Sequence, residues 1–568
     1  MKLSMGGLFV LTALSQARVQ LFERGEILDR AAATKRFVLE RPEPARRGAL
    51  LTSDGKPLAV DDDRYELSLS FSSVPQSDAF FVDLAAASGI PASEFSQVAA
   101  SGLKRRAWKQ RMSAAQAKAV QAVKTRWRAD GVSLDYTGER AYPLSEAASG
   151  VVGRTRGRTA EGGLERGFDE ALRGTDGRTI GMVDRTGAFL PMRIDPRSKA
   201  KEDGLPVVTT LDSVLQQEAA ASIKRAVETN HADQGVAIVY DPRNGDLLAM
   251  ANWPTFNPDE PEGATQVPEG TDYNPNYMGR LEPGSTFKVL TLAKALDLGV
   301  VTPNSVINCT GEKVVWGKMS VHCDIHHGSR AHGPLRPVDA IAKSCNVCAA
   351  TWAQAIGRDT FIEFMRQCGL LDKPGLGVPG EVPGDFVRDE YATGLQLAHF
   401  GFGQSVTVTP VALASAFGAL ANGGVRMKPR LVRKIGKNEE PPVDAGQLFK
   451  PATAERMLEY METVIQSDQG TGKGLRIPGY RLGGKTGTAE RQGQGRGGYV
   501  SNFVGFVPAP APRAVILVMV DHPKGGSYYG ATVAGPVFDD LARAVIRRYA
   551  IPPSPPKQDP TLEGPPLR

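Results

Sequence analysis

The run Pro283-Gly284-Ser285-Thr286-Phe287-Lys288 narrows the possibilities most, because the apolar-periodic segment Val289 to Leu298 follows it directly. Proline and glycine break whatever precedes, and the periodic segment reads as a helix. Ser285 is therefore predicted in the first helical turn, with Lys288 one turn on and on the same face. A serine there sits at the positive end of a helix dipole, which stabilises a developing alkoxide or oxyanion. Lys288 can accept the serine proton only when neutral. A free lysine titrates near ~10.4, so burial or a neighbouring cation must lower it by several units. The competing reading is a capping serine beside an exposed lysine. Ser-x-x-Lys occurs five times, at Ser53, Ser101, Ser198, Ser285 and Ser554, and only Ser285 has this setting.

Two further elements supply what the first lacks. Ser344-Cys345-Asn346, 59 residues later, is the only Ser-x-Asn and sits in apolar helical sequence. Its hydroxyl can relay a proton to a leaving amine, and its amide can grip a peptide. Lys485-Thr486-Gly487, 141 residues after Ser344, is the only Lys-Thr-Gly; Gly483 to Ala489 reads as a strand whose small residues admit a substrate backbone. Lys485 is a cation suited to depressing the pKa of Lys288 and to attracting a carboxylate.

Composition bounds the rest. The 568 residues are 41% hydrophobic and 23% charged, which excludes a disordered chain, a collagen-like repeat and a multi-spanning membrane protein. A net charge of +6 with no base-reading motif argues against nucleic acid. Fifteen uncharged residues, Leu3 to Ala17, lie between Lys2 and Arg18. With Arg18 snorkelling the stretch can run to Phe22 and just span a bilayer, so residues 1–22 read as a single-pass signal anchor with Lys2 inside and the bulk of the chain outside. A cleaved signal peptide and a frayed helix are the alternatives. Residues 552–568 form a Pro-rich tail.

Between these ends, Arg46 to Ala59 reads as strand, turn and strand. Residues 101–128 carry nine Lys or Arg and no acid, and read as a solvated helix face. Gly150 to Gly177 reads as loop and turn. Asp195 to Gly204 looks like a boundary. After it come a helix capped at Asp212, a hairpin over Val236–Tyr240 and Leu247–Met250, a strand over Val515–Val520 and a final amphipathic helix over Phe538–Tyr549.

The three elements in this order resemble the signature of penicillin-binding proteins and class A β-lactamases. With their flanks, Pro283 to Lys288, Ser344 to Asn346 and Gly484 to Ala489 resemble those of class B penicillin-binding proteins. Arg47-Gly48, Asp54-Gly55, Leu58-Ala59, Gly162, Leu164-Glu165, Leu172 and Gly174 are similar to the N-terminal pedestal of that class. Phe402-Gly403-Gln404, Thr409-Pro410, Asn422-Gly423-Gly424, Ser501 and Phe503 to Phe506 are similar to its transpeptidase domain. The resemblance implies an α+β fold: a transpeptidase domain over 206–551, with a central antiparallel sheet flanked by helices, on an elongated pedestal over 23–205. It implies a serine D,D-transpeptidase that cross-links peptidoglycan stem peptides at D-Ala–D-Ala and is acylated by β-lactam antibiotics. Ser285 would be the nucleophile, Lys288 the base and Ser344 the proton relay. Asn346, Lys485, Thr486, Gly487 and Thr488 would bind substrate, and the backbone N–H groups of Ser285 and Thr488 would form the oxyanion hole. The family implies no cofactor. It implies anchoring in the cytoplasmic membrane with the catalytic domain outside, and partners among a polytopic glycosyltransferase and other division or elongation proteins. The compact pedestal favours the septal role over elongation.

The cysteines and histidines leave alternatives open. Cys309 and Cys323 flank Val314 to Met319, which reads as a hairpin, and in an oxidising compartment they can pair. With His322, His326, His327 and His332 they can also ligate zinc, though the spacing matches no standard site, and no metal is expected. His327-Gly328 has a parallel in the family that favours a purely structural role. Cys345 occupies the variable position of its element and is expected to face away from substrate rather than act as a nucleophile.

Other functions are weaker fits. A bifunctional class A protein would need a large glycosyltransferase domain, for which 23–205 is too short. A β-lactamase would need a deacylating base and normally lacks pedestal and anchor. A wall-complex scaffold would not need the full motif set, whereas a β-lactam receptor would keep the serine.

Overall fold

The computed structural model describes residues 15–19, 23, 26, 38–183, 189–259, 273–324, 329–386, 393–490, 497–509 and 511–555. Most of the expected anchor, and the tail beyond residue 555, lie outside the described residues. Among the described residues no helix is long and apolar enough to cross a membrane. The fold is α+β, and the chain packs as two units that interleave along the sequence. One is built from Leu50–Ala59, Tyr142–Asp169 and the chain from Pro206 onward; the other takes the segments up to Ala49, Val60–Ala141 and Glu170–Leu205.

The larger unit centres on five antiparallel strands, β1 (Gln234–Tyr240), β2 (Leu247–Trp253), β3 (Gly483–Glu490), β4 (Tyr499–Val507) and β5 (Ala514–Asp521), in the order β2-β1-β5-β4-β3. The expected hairpin is β1–β2. Its turn closes where the Asp241 side chain accepts the Arg243 N–H at 3.1 Å and the Asp241 carbonyl accepts the Gly245 N–H at 3.0 Å. Every residue of β5 is buried, as its continuous apolar run predicts for a central strand covered on both faces.

Helices α1 (Ser213–Thr229), α2 (Phe287–Asp297), α3 (Asn346–Ile356), α4 (Pro410–Ala421), α5 (Pro451–Gln466) and α6 (Gly535–Arg548) complete the part of the unit that builds the site. Asp212 caps α1, accepting the N–H groups of Val214 and Leu215 at 3.1 Å each. Arg548 at the end of α6 donates to the same carboxylate at 2.7 Å, tying the two helices together. Leu215 and Ile223 of α1 and Phe538 and Leu541 of α6 pack against Ala237, Val239, Ile516, Val518 and Phe503 on one sheet face. The Phe503 and Phe538 rings are 4.6 Å apart. By the alternation of strand side chains, Tyr240 faces the other side, where it lies against Gly418 of α4 and donates to Met427 O at 2.8 Å.

In the smaller unit, Arg64–Ser70 lies between Arg105–Ser113 and Val132–Tyr136 in an antiparallel sheet. Helices Asp78–Ser88, Ala92–Ala100 and Ala114–Trp127 accompany it, and Leu67, Leu69, Phe80, Leu84, Phe95, Trp108 and Val120 lie in its core. The basic stretch 101–128 is thus not one helix face. Its first part is an edge strand burying Trp108 and Met112 and exposing Arg105, Arg106, Lys109 and Arg111, charges that discourage further strand pairing. Ser113 and Gln116 then form a capping box that starts the helix.

Gly150 to Gly177 also departs from expectation. It holds the end of a helix (Glu146–Val152), a hairpin (Arg154–Arg156 with Thr159–Glu161) and a short helix (Gly163–Gly167). Elements of three to seven residues are too short for hydrophobic periodicity to register.

Because the buried Phe538 ring joins α6 to the sheet, Phe538→Ala is expected to cost about 3–5 kcal/mol. The check is a lowered midpoint for the larger unit in urea or thermal unfolding; an unchanged midpoint would contradict this packing.

Candidate active site

Ser285 lies in a single 3₁₀ turn, Gly284–Thr286, immediately before α2, rather than in the first α-helical turn. Gly284 has a φ of 53°, and several contacts hold the turn. The Gly284 N–H donates to Gly403 O at 3.0 Å. Pro283 O accepts from the Thr286 hydroxyl at 2.7 Å and from Asn502 Nδ2 at 2.9 Å. Ser285 is partly exposed between buried neighbours, so its hydroxyl rests on a fixed backbone.

Lys288, in the first turn of α2, is 1% exposed, and Lys485, in β3, is 0% exposed. Both point at Ser344. Lys288 Nζ donates to Ser344 O at 2.6 Å and to Ser344 Oγ at 3.1 Å. Lys485 Nζ donates to Ser344 Oγ at 2.9 Å and to Thr486 O at 2.9 Å. Burial holds Lys288 below the ordinary lysine range. Burial, and then the charge of Lys288, hold Lys485 well below it. Two ammonium groups cannot cheaply share one buried hydroxyl, so the pair favours the loss of a proton. Ser344 Oγ has two acceptor lone pairs and one proton: it can receive from both amines, or donate to whichever is neutral. Ser344 adopts the left-handed conformation at φ 56°, a strained state for a serine, which turns the chain directly into α3.

Asn346 opens α3, and its Nδ2 donates to His322 O at 2.7 Å, fixing the side-chain amide. In β3 the expected alternation holds: Lys485 and Gly487 are buried, whereas Thr486 and Thr488 are partly exposed. The Thr486 hydroxyl is 3.0 Å from the Thr471 hydroxyl, and Thr488 Oγ1 accepts the Gly530 N–H at 3.4 Å. A side chain at Gly487 would meet Asn502 Oδ1 at 1.6 Å, so glycine is required for Asn502 to lie flat against β3 while it holds Pro283. β3 is also an edge strand, paired with β4 on one side. The three sequence elements therefore meet at one place. Asn502, Thr471 and Gly403 were not singled out for this role; Gly403 lies in the Phe402-Gly403-Gln404 run, but Asn502 carries no local signal because its contacts are made across the sheet.

The structure decides between the readings left open for the cysteines. All five are free and buried. Cys309 Sγ and Cys323 Sγ are 3.7 Å apart, far beyond the ~2.05 Å of a disulfide, so the pair is not bonded. Cys323 Sγ is equally 3.7 Å from Cys345 Sγ, and His332 Nδ1 is 3.5 Å from Cys309 Sγ. His322 lies apart beside Glu312, and His326 and His327 lie outside the described residues. Cys345 is 0% exposed, its thiol points into this cluster, and its pKa is raised, with the effects of Cys348 and burial outweighing a hydrogen bond from Cys323.

Fold and site together bring a partly exposed serine, a second serine and two buried lysines to one place, and the comparisons identify the family. Residues 235–543 match the penicillin-binding protein transpeptidase domain, and residues 42–209 match the penicillin-binding protein dimerisation domain. The chain belongs to the penicillin-binding proteins, and within them to class B. It is 30% identical over 534 residues to the probable peptidoglycan D,D-transpeptidase PbpC of Pseudomonas aeruginosa, covering 91% of this chain and 89% of that one. It is 32% identical over 452 residues to the penicillin-binding protein PbpB of Mycobacterium tuberculosis, covering 75% of this chain and 64% of that one. The crystal structure of penicillin-binding protein 3 from Mycobacterium tuberculosis with aztreonam matches with a TM-score of 0.67 at 25% identity, covering 91% of this chain and 99% of that one.

One buried carboxyl lies beside the nucleophile turn. Burial pushes Glu282 up to about 7, although it accepts the Ser405 N–H at 3.0 Å. Its folded pKa exceeds its unfolded one, so its contribution to stability is complete below about 4.5 and is lost as pH rises through about 7. Glu282→Gln keeps the acceptor and removes the charge. It is expected to be more stable than wild type at about pH 8 by ~2–3 kcal/mol and to match it near pH 4. Unfolding curves at the two pH values check this; equal curves at both would contradict it.

Proposed function

We propose that the chain is a peptidoglycan D,D-transpeptidase with Ser285 as nucleophile, Lys288 as general base and Ser344 as proton relay. The observation that carries this reading is the Ser344 hydroxyl held between two buried lysines, one of which follows Ser285 and its fixed turn by three residues. In the empty site the two amines compete for charge. A substrate carboxylate arriving at Thr486, Thr488 and Lys485 favours the charged form of Lys485 and leaves Lys288 neutral. Ser285 Oγ then attacks the carbonyl carbon of the D-Ala–D-Ala bond as its proton passes to Lys288 Nζ. The tetrahedral oxyanion is received by the N–H groups of Ser285 and Thr488, worth ~3–4 kcal/mol per donor. Collapse breaks the C–N bond. The proton reaches the departing D-Ala amine through Ser344, and an ester on Ser285 remains. The amine of a second stem peptide attacks that ester, the C–O bond breaks, Ser285 recovers its proton, and a cross-link is made.

Among the described residues β3 is paired on one side only; that edge suits an extended stem peptide added as a further strand, with Asn346 as its amide partner. A β-lactam presents the same carboxylate and a strained amide to the same serine, and acylates it. Residues 23–205 act as the pedestal for residues 206–551, and residues 1–22 anchor the protein in the cytoplasmic membrane with the catalytic domain outside. In this reading the cross-linking serves septal wall synthesis beside a polytopic glycosyltransferase. The compact smaller unit supports the septal role, and midcell localisation of a tagged copy tests it.

A fluorescent penicillin is expected to label the wild type covalently and to leave Ser285→Ala unlabelled. No labelling of folded wild type would overturn the proposal, and rapid loss of label with antibiotic turnover would instead indicate a β-lactamase. The acylation rate should rise with pH along a limb lying below the ordinary lysine value of 10.5. Lys288→Arg, which cannot lose its proton, should slow acylation by about 10²–10⁴-fold at neutral pH. Stopped-flow acylation across pH measures both, and a wild-type rate limb at 10.5 would contradict a depressed base.

A further inference from the structure

The four side chains that converge behind Ser344 are Cys309, Cys323, His332 and Cys345, whose ligand atoms all lie within 4.8 Å of one another. Cys309 ends a short strand, Ile307–Cys309, paired with Gly333–Leu335. His332 directly precedes that partner strand, and its N–H donates to Cys309 O at 3.1 Å. Cys323 follows the hairpin Glu312–Trp316/Met319–His322, and its N–H donates to Gly311 O at 2.9 Å. Cys345 is the residue before α3. Nothing in the transpeptidase chemistry uses these thiols.

We propose that Cys309, Cys323, His332 and Cys345 bind a zinc ion as a structural Cys3His centre that holds the Ser344-Cys345-Asn346 element in place. Three of the six edges have the lengths of a coordination tetrahedron, and all six are within 4.8 Å. With Zn–S near ~2.3 Å and Zn–N near ~2.05 Å, tetrahedral angles require S···S edges of about 3.75 Å and S···N edges of about 3.55 Å. Two S···S distances are 3.7 Å and the Cys309 Sγ to His332 Nδ1 distance is 3.5 Å. A disulfide fits less well. Cys323 Sγ is equidistant from Cys309 and Cys345, so the geometry selects no pair, and either bond would leave a third thiol and the imidazole behind.

One donor stands ready for a metal-bound thiolate. The Cys348 N–H donates to Cys345 Sγ at 3.4 Å. It is a free N–H of the first turn of α3, at the positive end of its dipole, and an N–H donor to sulfur stabilises a thiolate once a cation binds it. Three sulfurs and one imidazole in tetrahedral array favour zinc over the hard, oxygen-seeking cations. The ligands lie 14, 9 and 13 residues apart in sequence, so no short paired-cysteine spacing advertises the site.

The site reaches the active centre through two covalent neighbours. Ser344, strained at φ 56° and bonded to both lysines, directly precedes Cys345. Asn346 follows it and donates to His322 O, and His322 directly precedes Cys323. A metal bonded to Cys345 and Cys323 therefore clamps the relay serine and the amide against the hairpin. The four ligands are positioning residues that act through Ser344 and Asn346.

The experiment uses the full-length chain purified in detergent without a metal-affinity tag. Elemental analysis and thiol titration after denaturation are expected to give about one zinc per chain and five titratable thiols once the zinc is chelated. Cobalt exchanged into the site should show tetrahedral d–d bands and thiolate-to-cobalt charge transfer. Cys345→Ser and His332→Ala should lose the stoichiometric zinc, and Cys368→Ala, outside the cluster, should keep it. Should the ligand variants fail to fold, the wild-type zinc count and cobalt spectrum decide alone. Absence of zinc after growth and titration with zinc, three thiols because one disulfide has formed, or zinc retained in both ligand variants would each overturn the site.

The positioning role rests on the transpeptidase reading and is read separately. Stripping zinc from wild type should slow acylation by benzylpenicillin about tenfold or more and shift the pH limb, with recovery on adding zinc back. Unchanged rates and limb in zinc-stripped protein would overturn that role. Absence of labelling in both zinc-loaded and zinc-stripped protein would count against the transpeptidase reading, whatever the zinc content.

Discussion

Two buried lysine amines directed at one serine hydroxyl set the demands that the rest of the larger unit meets. Burying a single amine is costly, and burying two within reach of the same oxygen is more so unless a proton is given up. That cost lowers both amines below the ordinary lysine range, the condition that the proposed base needs. It also dictates architecture. Lys288 comes from α2, Lys485 from β3 and Ser344 from the turn before α3, so three elements far apart in sequence must be held to within hydrogen-bonding distance. The sheet with α1 and α6 on one face and α4 against the other provides that rigidity.

The supporting contacts share one logic: each fixes backbone rather than a reactive atom. Asn502 reaches past Gly487 to hold Pro283, and Gly403 holds Gly284, so the nucleophile turn is fixed from two sides. Lys288 holds the carbonyl of Ser344 as well as its hydroxyl, which keeps a strained left-handed residue between the two amines. The thiol cluster lies behind that residue and joins the base of α3 to the hairpin. Residues outside the serine and lysine set thereby fix the position of its members.

Much of this was legible in the chain. The helix capped by Asp212, the β1–β2 hairpin, the buried strand β5 and the small-residue strand β3 all carry local signals strong enough to survive tertiary packing. Ser285, Lys288, Ser344 and Lys485 could be paired in advance because the chemistry of each is incomplete without the others. The rest was illegible for a physical reason. The basic stretch 101–128 divides into strand and helix because Trp108 and Met112 are wanted in a core whose other members are distant. Asn502 is an ordinary strand residue until β3 lies beside it. Cys345 reads as a variable position until Cys323 and Cys309 arrive from another element.

The sequence by itself determined the set of reactive groups, the order in which they occur and the local elements that carry them, since helix caps, apolar periodicity and turn residues act over a few positions. Only the tertiary structure decided which groups touch. It made Ser285 part of a 3₁₀ turn, placed both amines on Ser344 and lowered their pKa values, and gathered three cysteines and one histidine into one cluster. Burial and proximity are properties of the packed chain: they arise from contacts between residues tens to hundreds of positions apart, which no local pattern encodes.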